Sequence, residues 1–248
     1  MVEATKIGVI GAYGRMGSEV CRAVEAADGL ELAARVGRAD PLELLNRSQV
    51  RIAVEFTTPR SVLDNILFCV EHGIHAVVGT TGLAPEDLER LHGATKQSGA
   101  RVFVAPNFAV GAVLMMRFAA LAAPYFERAE IIERHHAAKV DAPSGTALRT
   151  AALMDEARLQ EWGALAESTE TVPGSRGGEV SGIRVHSLRL EGSVAHQEVV
   201  LGAPGQTLTI RHDSIDRSSF MPGVILAIRR VAQLDGVTVG LEHLLDDI

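Results

Sequence analysis

The chain has 248 residues, 47% hydrophobic and 22% charged, which suits one large soluble domain or two modest ones with a sizeable buried core. Its formal net charge of −7, with no basic block, argues against a nucleic-acid-binding protein. The N-terminus lacks the basic head and long apolar core of a signal peptide. No apolar run reaches the roughly 20 residues that span a bilayer. The 2 cysteines, Cys21 and Cys69, fall in helical patterns rather than a disulfide framework. The expected setting is a reducing cytoplasm, with no membrane or nucleic-acid partner.

The first hundred or so residues alternate short apolar runs with helical patterns. "KIGVIG" (6–11) reads as a buried strand, followed by a helix with Met16, Val20, Ala23 and Val24 on one face. "LELAARV" (30–36) and "RIAVEF" (51–56) are the next strands, and Pro59 opens a helix carrying Val62, Ile66 and Val70. "IHAVVG" (74–79), a helix over 85–98 and "ARVFVAP" (100–106) continue the series. Non-alternating strands, each followed by a helix, predict a parallel sheet covered on both faces.

The pattern then changes. A helix over 111–123 and the strand "AEIIERHH" (129–136) lead to a second helix over 145–158 and a loop rich in Gly, Ser and Thr (163–182). "IRVHSLRL" (183–190), "AHQEVVLG" (195–202) and "TLTIRHD" (207–213) alternate with period two, and "EGSV" and "APGQ" between them read as hairpin turns. These predict an antiparallel sheet. The helical "SSFMPGVILAIRRV" (218–231) closes the series, so residues 110–217 read as an α+β domain inserted into an α/β domain of residues 1–109 and 218–248.

"GVIGAYGRMGSEV" sets Gly11, Gly14 and Gly17 between the first strand and its helix. Glycines there let the backbone approach a pyrophosphate, and the helix N-terminus supplies N–H groups and partial positive charge. The G-x-x-G-x-x-G spacing is one residue longer than the usual dinucleotide fingerprint, so its position in a β-α-β series carries the reading. "VGTTG" (78–82) and "APNF" (105–108) follow two further strands at the same expected sheet edge, where open parallel sheets bind ligands.

"ERHHAAKVDAPSGTA" (133–147) concentrates proton-carrying groups between apolar runs. On a continuing strand His135 and His136 point to opposite faces, which ill suits a shared metal ion; no further ligands stand nearby, and no metal is expected. Which histidine faces a site stays open. Ser144, Gly145 and Thr146 begin a helix whose free N–H groups suit an anion, while His135, His136 and Lys139 offer protons and positive charge. Together they predict a site for a small acidic substrate that is protonated.

"VIGAYGRMG", "VEFTTP", "VVGTTG", "APNFAVG", "ERHHAAKVDAPSGTA" and "RHDSIDRSSFMPG" together resemble, in order and spacing, the dihydrodipicolinate reductase family of bacterial lysine biosynthesis. The resemblance implies a Rossmann-like domain using NADPH and/or NADH, and a second domain whose sheet builds a homotetramer. It implies cofactor contacts at Gly11, Ala12, Tyr13, Gly14, Arg15 and Met16, at Gly79, Thr80 and Thr81, and at Ala105, Pro106, Asn107 and Phe108. It places His136, Lys139, Gly145 and Thr146 on the carboxylates of a dicarboxylate substrate, with His135 and Lys139 as candidate proton donors. Hinges near 107–111 and 216–219 would let the domains close.

Two rivals are weighed. A semialdehyde dehydrogenase acting through a thioester needs a loop cysteine, whereas Cys21 and Cys69 lie in helical patterns. A nucleotide-sensing module has no use for a His-His pair and a lysine beside a helix start. For the cofactor, the second strand's tip at Val36, Gly37 and Arg38 carries no acid for the ribose hydroxyls of NADH. Asp40 lies beyond it, placed to cap the next helix. Arg35 and Arg38, helped by Arg15, are instead placed to meet a 2′-phosphate. NADPH is expected to serve at least as well as NADH.

Overall fold

The protein is described here from a computed structural model, which covers residues 4–163 and 169–245. Along the chain run β1 (Thr5–Ile10), α1 (Arg15–Glu25), β2 (Leu30–Val36), α2 (Glu43–Arg47), β3 (Ile52–Glu55), α3 (Val62–Glu71), β4 (His75–Val78), α4 (Pro85–Ser98) and β5 (Val102–Val104). After these come α5 (Val110–Ala122), β6 (Arg128–His135), α6 (Gly145–Glu156), β7 (Gly178–Val180), β8 (Ile183–Arg189), β9 (Ala195–Ala203) and β10 (Gln206–Ser214). α7 (Met221–Arg230) and β11 (Val237–Val239) complete the series. The chain divides into a unit of residues 1–110 and 217–248 and a unit of residues 111–216.

The first unit carries a parallel sheet in the order β11-β5-β4-β3-β1-β2. Its inner strands are buried on both faces, as their apolar runs require: every residue of β3 and β5 is buried, Glu55 at the end of β3 included. Ile66 and Val70 of α3 and Leu91 of α4 pack into this core with Ala53 of β3 and Val78 of β4. β11 was not anticipated, because three residues are too few to show a period.

The second unit's sheet runs β10-β9-β6-β8-β7 and is mixed rather than antiparallel. β6 lies between β9, to which it is antiparallel, and β8, to which it is parallel. β8 and β9 are therefore not a hairpin. Their "EGSV" link passes the end of β6, where the Leu190 N–H donates to the His135 carbonyl at 3.0 Å. The "APGQ" turn does close a hairpin, pairing Ala203 with Gln206 around Gly205 at φ +77°. β7 occupies part of the expected loop, and residues 164–168 of that loop lie outside the described residues. Ile131, Val199, Leu201 and Ile183 form the sheet's buried face against Ala147, Ala151 and Met154 of α6.

The end of β3 holds a buried acid. Glu55 is 1% exposed, and its Oε1 accepts hydrogen bonds from the Thr57 hydroxyl and, at 3.2 Å, from the Asn65 amide. Thr57 in turn meets Ser61 at 2.9 Å, so the acid shapes the loop from Phe56 to Ser61. Burial pushes the Glu55 carboxyl up, outweighing the hydroxyls of Thr57 and Thr80 and the Asn65 amide. Among the described residues no cation compensates it there. A carboxyl raised on folding favours the native state most at low pH, and that advantage fades as pH rises above its unfolded value. Glu55→Gln should therefore be more stable than wild type at pH 8, by on the order of 1 kcal/mol per pH unit of displacement. The difference should shrink toward pH 5 in urea unfolding; a pH-independent difference would refute the account.

Candidate active site

In the first unit the β1–α1 turn is built from backbone lying against backbone. Gly11 adopts φ +82°, and a Cβ there would stand 2.1 Å from the Phe56 carbonyl oxygen. A Cβ on Gly17 would stand 2.0 Å from the Gly11 oxygen, so the helix can sit this close to the strand only without one. α1 starts after Gly14 with no side-chain cap and no acid in its first turn. Its leading N–H groups are thus available to an anion, and the cradle fits a dinucleotide pyrophosphate.

A cavity of about 1010 Å³ opens beside this turn, lined by Gly11, Tyr13, Gly14, Gly37, Arg38 and Thr57 among others. Arg38 thus stands where the sequence places it. Arg35 does not: its guanidinium pairs with Glu25 of α1 at 2.5 Å. Asp40 caps no helix; its carboxylate accepts from the Gly37 N–H at 2.8 Å and closes the turn. Arg15 is exposed and Met16 half-buried at the start of α1. Ala12 is buried, so only its backbone is on offer.

The loops after β4 and β5 have their own roles. A Cβ on Gly79 would stand 2.0 Å from the Phe56 ring, and the Thr80 hydroxyl accepts from the Thr57 N–H at 2.7 Å, tying two loops together. Thr81 and Pro106 are exposed, whereas Ala105 and Phe108 are buried. Phe108 packs against Phe56 and Phe103. Asn107 accepts from the Ala109 N–H at 2.8 Å.

In the second unit β6 ends at His135, and His136 begins a turn in which the Lys139 N–H donates to the His136 carbonyl at 3.1 Å. The two histidines are therefore not opposite faces of one strand; His135 is partly buried and His136 exposed. Glu133, one strand period before His135, is fully buried. Its Oε2 accepts from His135 Nδ1 at 2.6 Å and from Arg189 Nη1 at 2.9 Å. Its Oε1 accepts from Arg189 Nη2 at 2.8 Å and from the Ser144 N–H at 3.1 Å. The β6–β8 register explains the partner, since His135 stands opposite Arg189 and Glu133 opposite Ser187.

Burial alone would raise the Glu133 carboxyl, but hydrogen bonds from Arg189, Ser187 and His135 hold it below the usual range. Glu133 is thus a carboxylate that can only accept, so Nδ1 of His135 carries the hydrogen and Nε2 is left for another partner. Burial lowers the His135 pKa; Glu133 works against that, and Lys139 and Arg189 add to it.

Lys139 Nζ donates to both oxygens of Asp141 at 2.7 Å, and Arg189 Nη2 donates to the Asp141 carbonyl at 2.6 Å. Ser144 caps α6, its hydroxyl accepting from the Ala147 N–H at 3.2 Å. Gly145 and Thr146 follow at the first turn. The structure thus gathers His135, Lys139 and the α6 start around Glu133 and Arg189, neither of which sequence reasoning singled out. The Glu-x-His spacing was a signal for Glu133. Arg189 lies 56 residues away and is found only through the strand register. Among the described residues no group of three or more His, Cys, Asp or Glu could hold a metal ion.

Comparison with known proteins follows the same division. The pattern for the N-terminus of dihydrodipicolinate reductase matches residues 5–108, and that for its C-terminus matches residues 111–245. The 4-hydroxy-tetrahydrodipicolinate reductase of Streptomyces coelicolor is 56% identical over 244 residues, 97% of this chain and 98% of that protein. The same enzyme of Mycolicibacterium smegmatis is 53% identical over 243 residues, 97% of this chain and 99% of that protein. A solved structure of dipicolinate-bound dihydrodipicolinate reductase from Paenisporosarcina sp. TG-14 superimposes with a TM-score of 0.87 at 35% identity, covering 97% of this chain and 99% of that one. With both halves matched in order and relatives alike along nearly their whole length, the chain belongs to the dihydrodipicolinate reductase family.

Proposed function

We infer that this chain reduces 4-hydroxy-tetrahydrodipicolinate to tetrahydrodipicolinate with loss of water, in the lysine and diaminopimelate route. The observation that carries this reading is the gathering of His135, Lys139 and the capped start of α6 at one strand end, in a chain matched to the family from residue 5 to residue 245. That the Paenisporosarcina relative holds dipicolinate, a planar dicarboxylate, supports a dicarboxylate here.

The first unit has the fold of a nicotinamide-dinucleotide-binding domain, and the bound cofactor supplies the hydride. In balance, the substrate's hydroxyl leaves with a proton as water, while one hydride and one proton add to the conjugated ring. The second unit holds the dicarboxylate. Lys139 and the first-turn N–H groups of Gly145 and Thr146 meet its carboxylates, with His136 beside them. His135 delivers the proton through Nε2, the ring nitrogen that Glu133 leaves open. Cationic contacts stabilise the electron-rich ring formed after reduction. The glycine turn, the loop of Gly79, Thr80 and Thr81 and the loop of Ala105 to Phe108 serve the cofactor, largely through backbone groups. Arg38 in the cavity wall favours a 2′-phosphate, so NADPH serves at least as well as NADH.

Assembly as a homotetramer goes with Ile132, Leu188 and Leu208, apolar side chains of β6, β8 and β10 left exposed in the second sheet. A monomer in sedimentation at micromolar concentration would overturn it. A cytoplasmic setting agrees with free, buried Cys21 and Cys69; no described helix is long and apolar enough to cross a membrane.

The reductase reading is checked by coupling the chain to dihydrodipicolinate synthase and following NAD(P)H oxidation; absence of turnover would end it. Lys139→Ala should lower kcat/KM by about 10²–10³ with folding and cofactor binding retained, and near-normal kinetics would remove Lys139 from the site. For the cofactor, Arg38→Asp should weaken NADPH use selectively, since its carboxylate repels a phosphate but can bond a ribose hydroxyl. A wild-type kcat/KM for NADH more than about tenfold above that for NADPH, or some 1.4 kcal/mol, would overturn the preference.

A further inference from the structure

We propose that Glu133 and Arg189 are positioning residues of opposite sign that set the orientation and proton affinity of His135 while fixing the anion-binding start of α6. This rests on the reading of His135 as proton donor. The geometry goes beyond that reading, because it ties three separately encoded pieces of the site to one buried carboxylate.

Glu133 receives His135 Nδ1 on one oxygen and the Ser144 N–H on the other, with the two Arg189 nitrogens bridging both. Rotating the carboxylate would break contacts to β6, β8 and the α6 start together. The guanidinium also reaches the Asp141 carbonyl, next to the carboxylate that holds Lys139. An ion pair serving only to join two strands needs neither the imidazole nor the Ser144 N–H. Here the guanidinium takes both oxygens, and each oxygen keeps a second acceptance for a group of the site.

The charges facing His135 are Glu133 on its own strand, Arg189 on β8 and Lys139 on the following turn, whose ammonium is in turn held by Asp141. Glu133 favours the imidazolium, and Arg189 and Lys139 oppose it. Removing the carboxylate's charge must then push His135 toward the neutral form, and removing the guanidinium's charge must push it toward the imidazolium. A pair that only joins two strands would shift the imidazole in the same way but leave the pH profile of kcat where it is, so the two are read together.

The test is an NMR titration of the His135 imidazole in the full chain, wild type against Glu133→Gln, Arg189→Gln and Arg189→Lys, with kcat followed over the same pH range. Glu133→Gln should lower the His135 pKa by about 1 unit and Arg189→Gln should raise it, each by the loss of one neighbouring charge. Arg189→Lys, which keeps the charge, should return it toward wild type. The high-pH fall in kcat should move in the same direction in each variant. An unmoved imidazole titration in both neutralising variants overturns the proposal. If Glu133→Gln does not fold, Arg189→Gln decides: an upward shift supports the proposal and an unchanged titration overturns it. Titrations that split while the kcat profile stays fixed would refute His135 as donor and leave Glu133 and Arg189 as a pair that joins two strands.

Discussion

A carboxylate with no exposed surface, Glu133, is the constraint from which the second unit's chemistry is arranged. Burying an ionised carboxyl is costly unless its oxygens are filled, and here both are, by a guanidinium, an imidazole and a main-chain N–H. Breaking such a buried pair costs about 3–5 kcal/mol. An exposed pair such as Arg22–Glu19 on α1 is worth about 0–1 kcal/mol. The difference explains how a segment with exposed residues from His136 to Ala138 is nevertheless held: it is pinned at His135 on one side and at Ser144 on the other.

The first unit solves its problem with backbone. Its turn needs Gly11 and Gly17 because a Cβ at either would collide with a carbonyl oxygen, and its helix start is left without a cap or an acid. Its buried acid, Glu55, behaves in the opposite way to Glu133. Both stand at or near the end of a strand with almost no exposure. Glu133 meets a guanidinium and is held below the usual carboxylate range, whereas Glu55 meets hydroxyls, an amide and the Thr57 backbone and is pushed above it. Burial acts alike on both, so the partner decides the sign. Glu55 thus shapes the loop beside the cavity through hydrogen bonds and without an ion pair.

These contrasts mark how far the sequence could be read. The parallel strands were legible because strands covered on both faces carry unbroken apolar runs, as in Ile52 to Val54 and Ala76 to Val78. The mixed sheet was not, since period-two alternation reports which face is buried and says nothing about which strand lies alongside. β6 came earlier in the chain and took the place between β8 and β9 that a hairpin would have closed. The same limit hid Arg189, whose role depends on standing opposite His135 across two strands. Charge at the tip of β2 was legible, but not its allocation: Arg35 turns to Glu25, while Arg38 beyond the strand lines the cavity.

The segment from Glu133 to Ser144 also takes part in two ion pairs that differ in exposure. Lys139 grips Asp141 through both oxygens, but the Asp141 side chain is 61% exposed, so water can replace the lysine at little cost. An incoming dicarboxylate can therefore take the ammonium from Asp141. Taking Arg189 from Glu133 costs far more, because that carboxylate is sealed from solvent and would lose the one guanidinium that bridges both its oxygens. Exposure thus separates a cation whose partner is open to solvent from one whose partner is sealed. Two pairs of cation and carboxylate, a lysine with an exposed aspartate and an arginine with a buried glutamate, differ in how readily each can be opened.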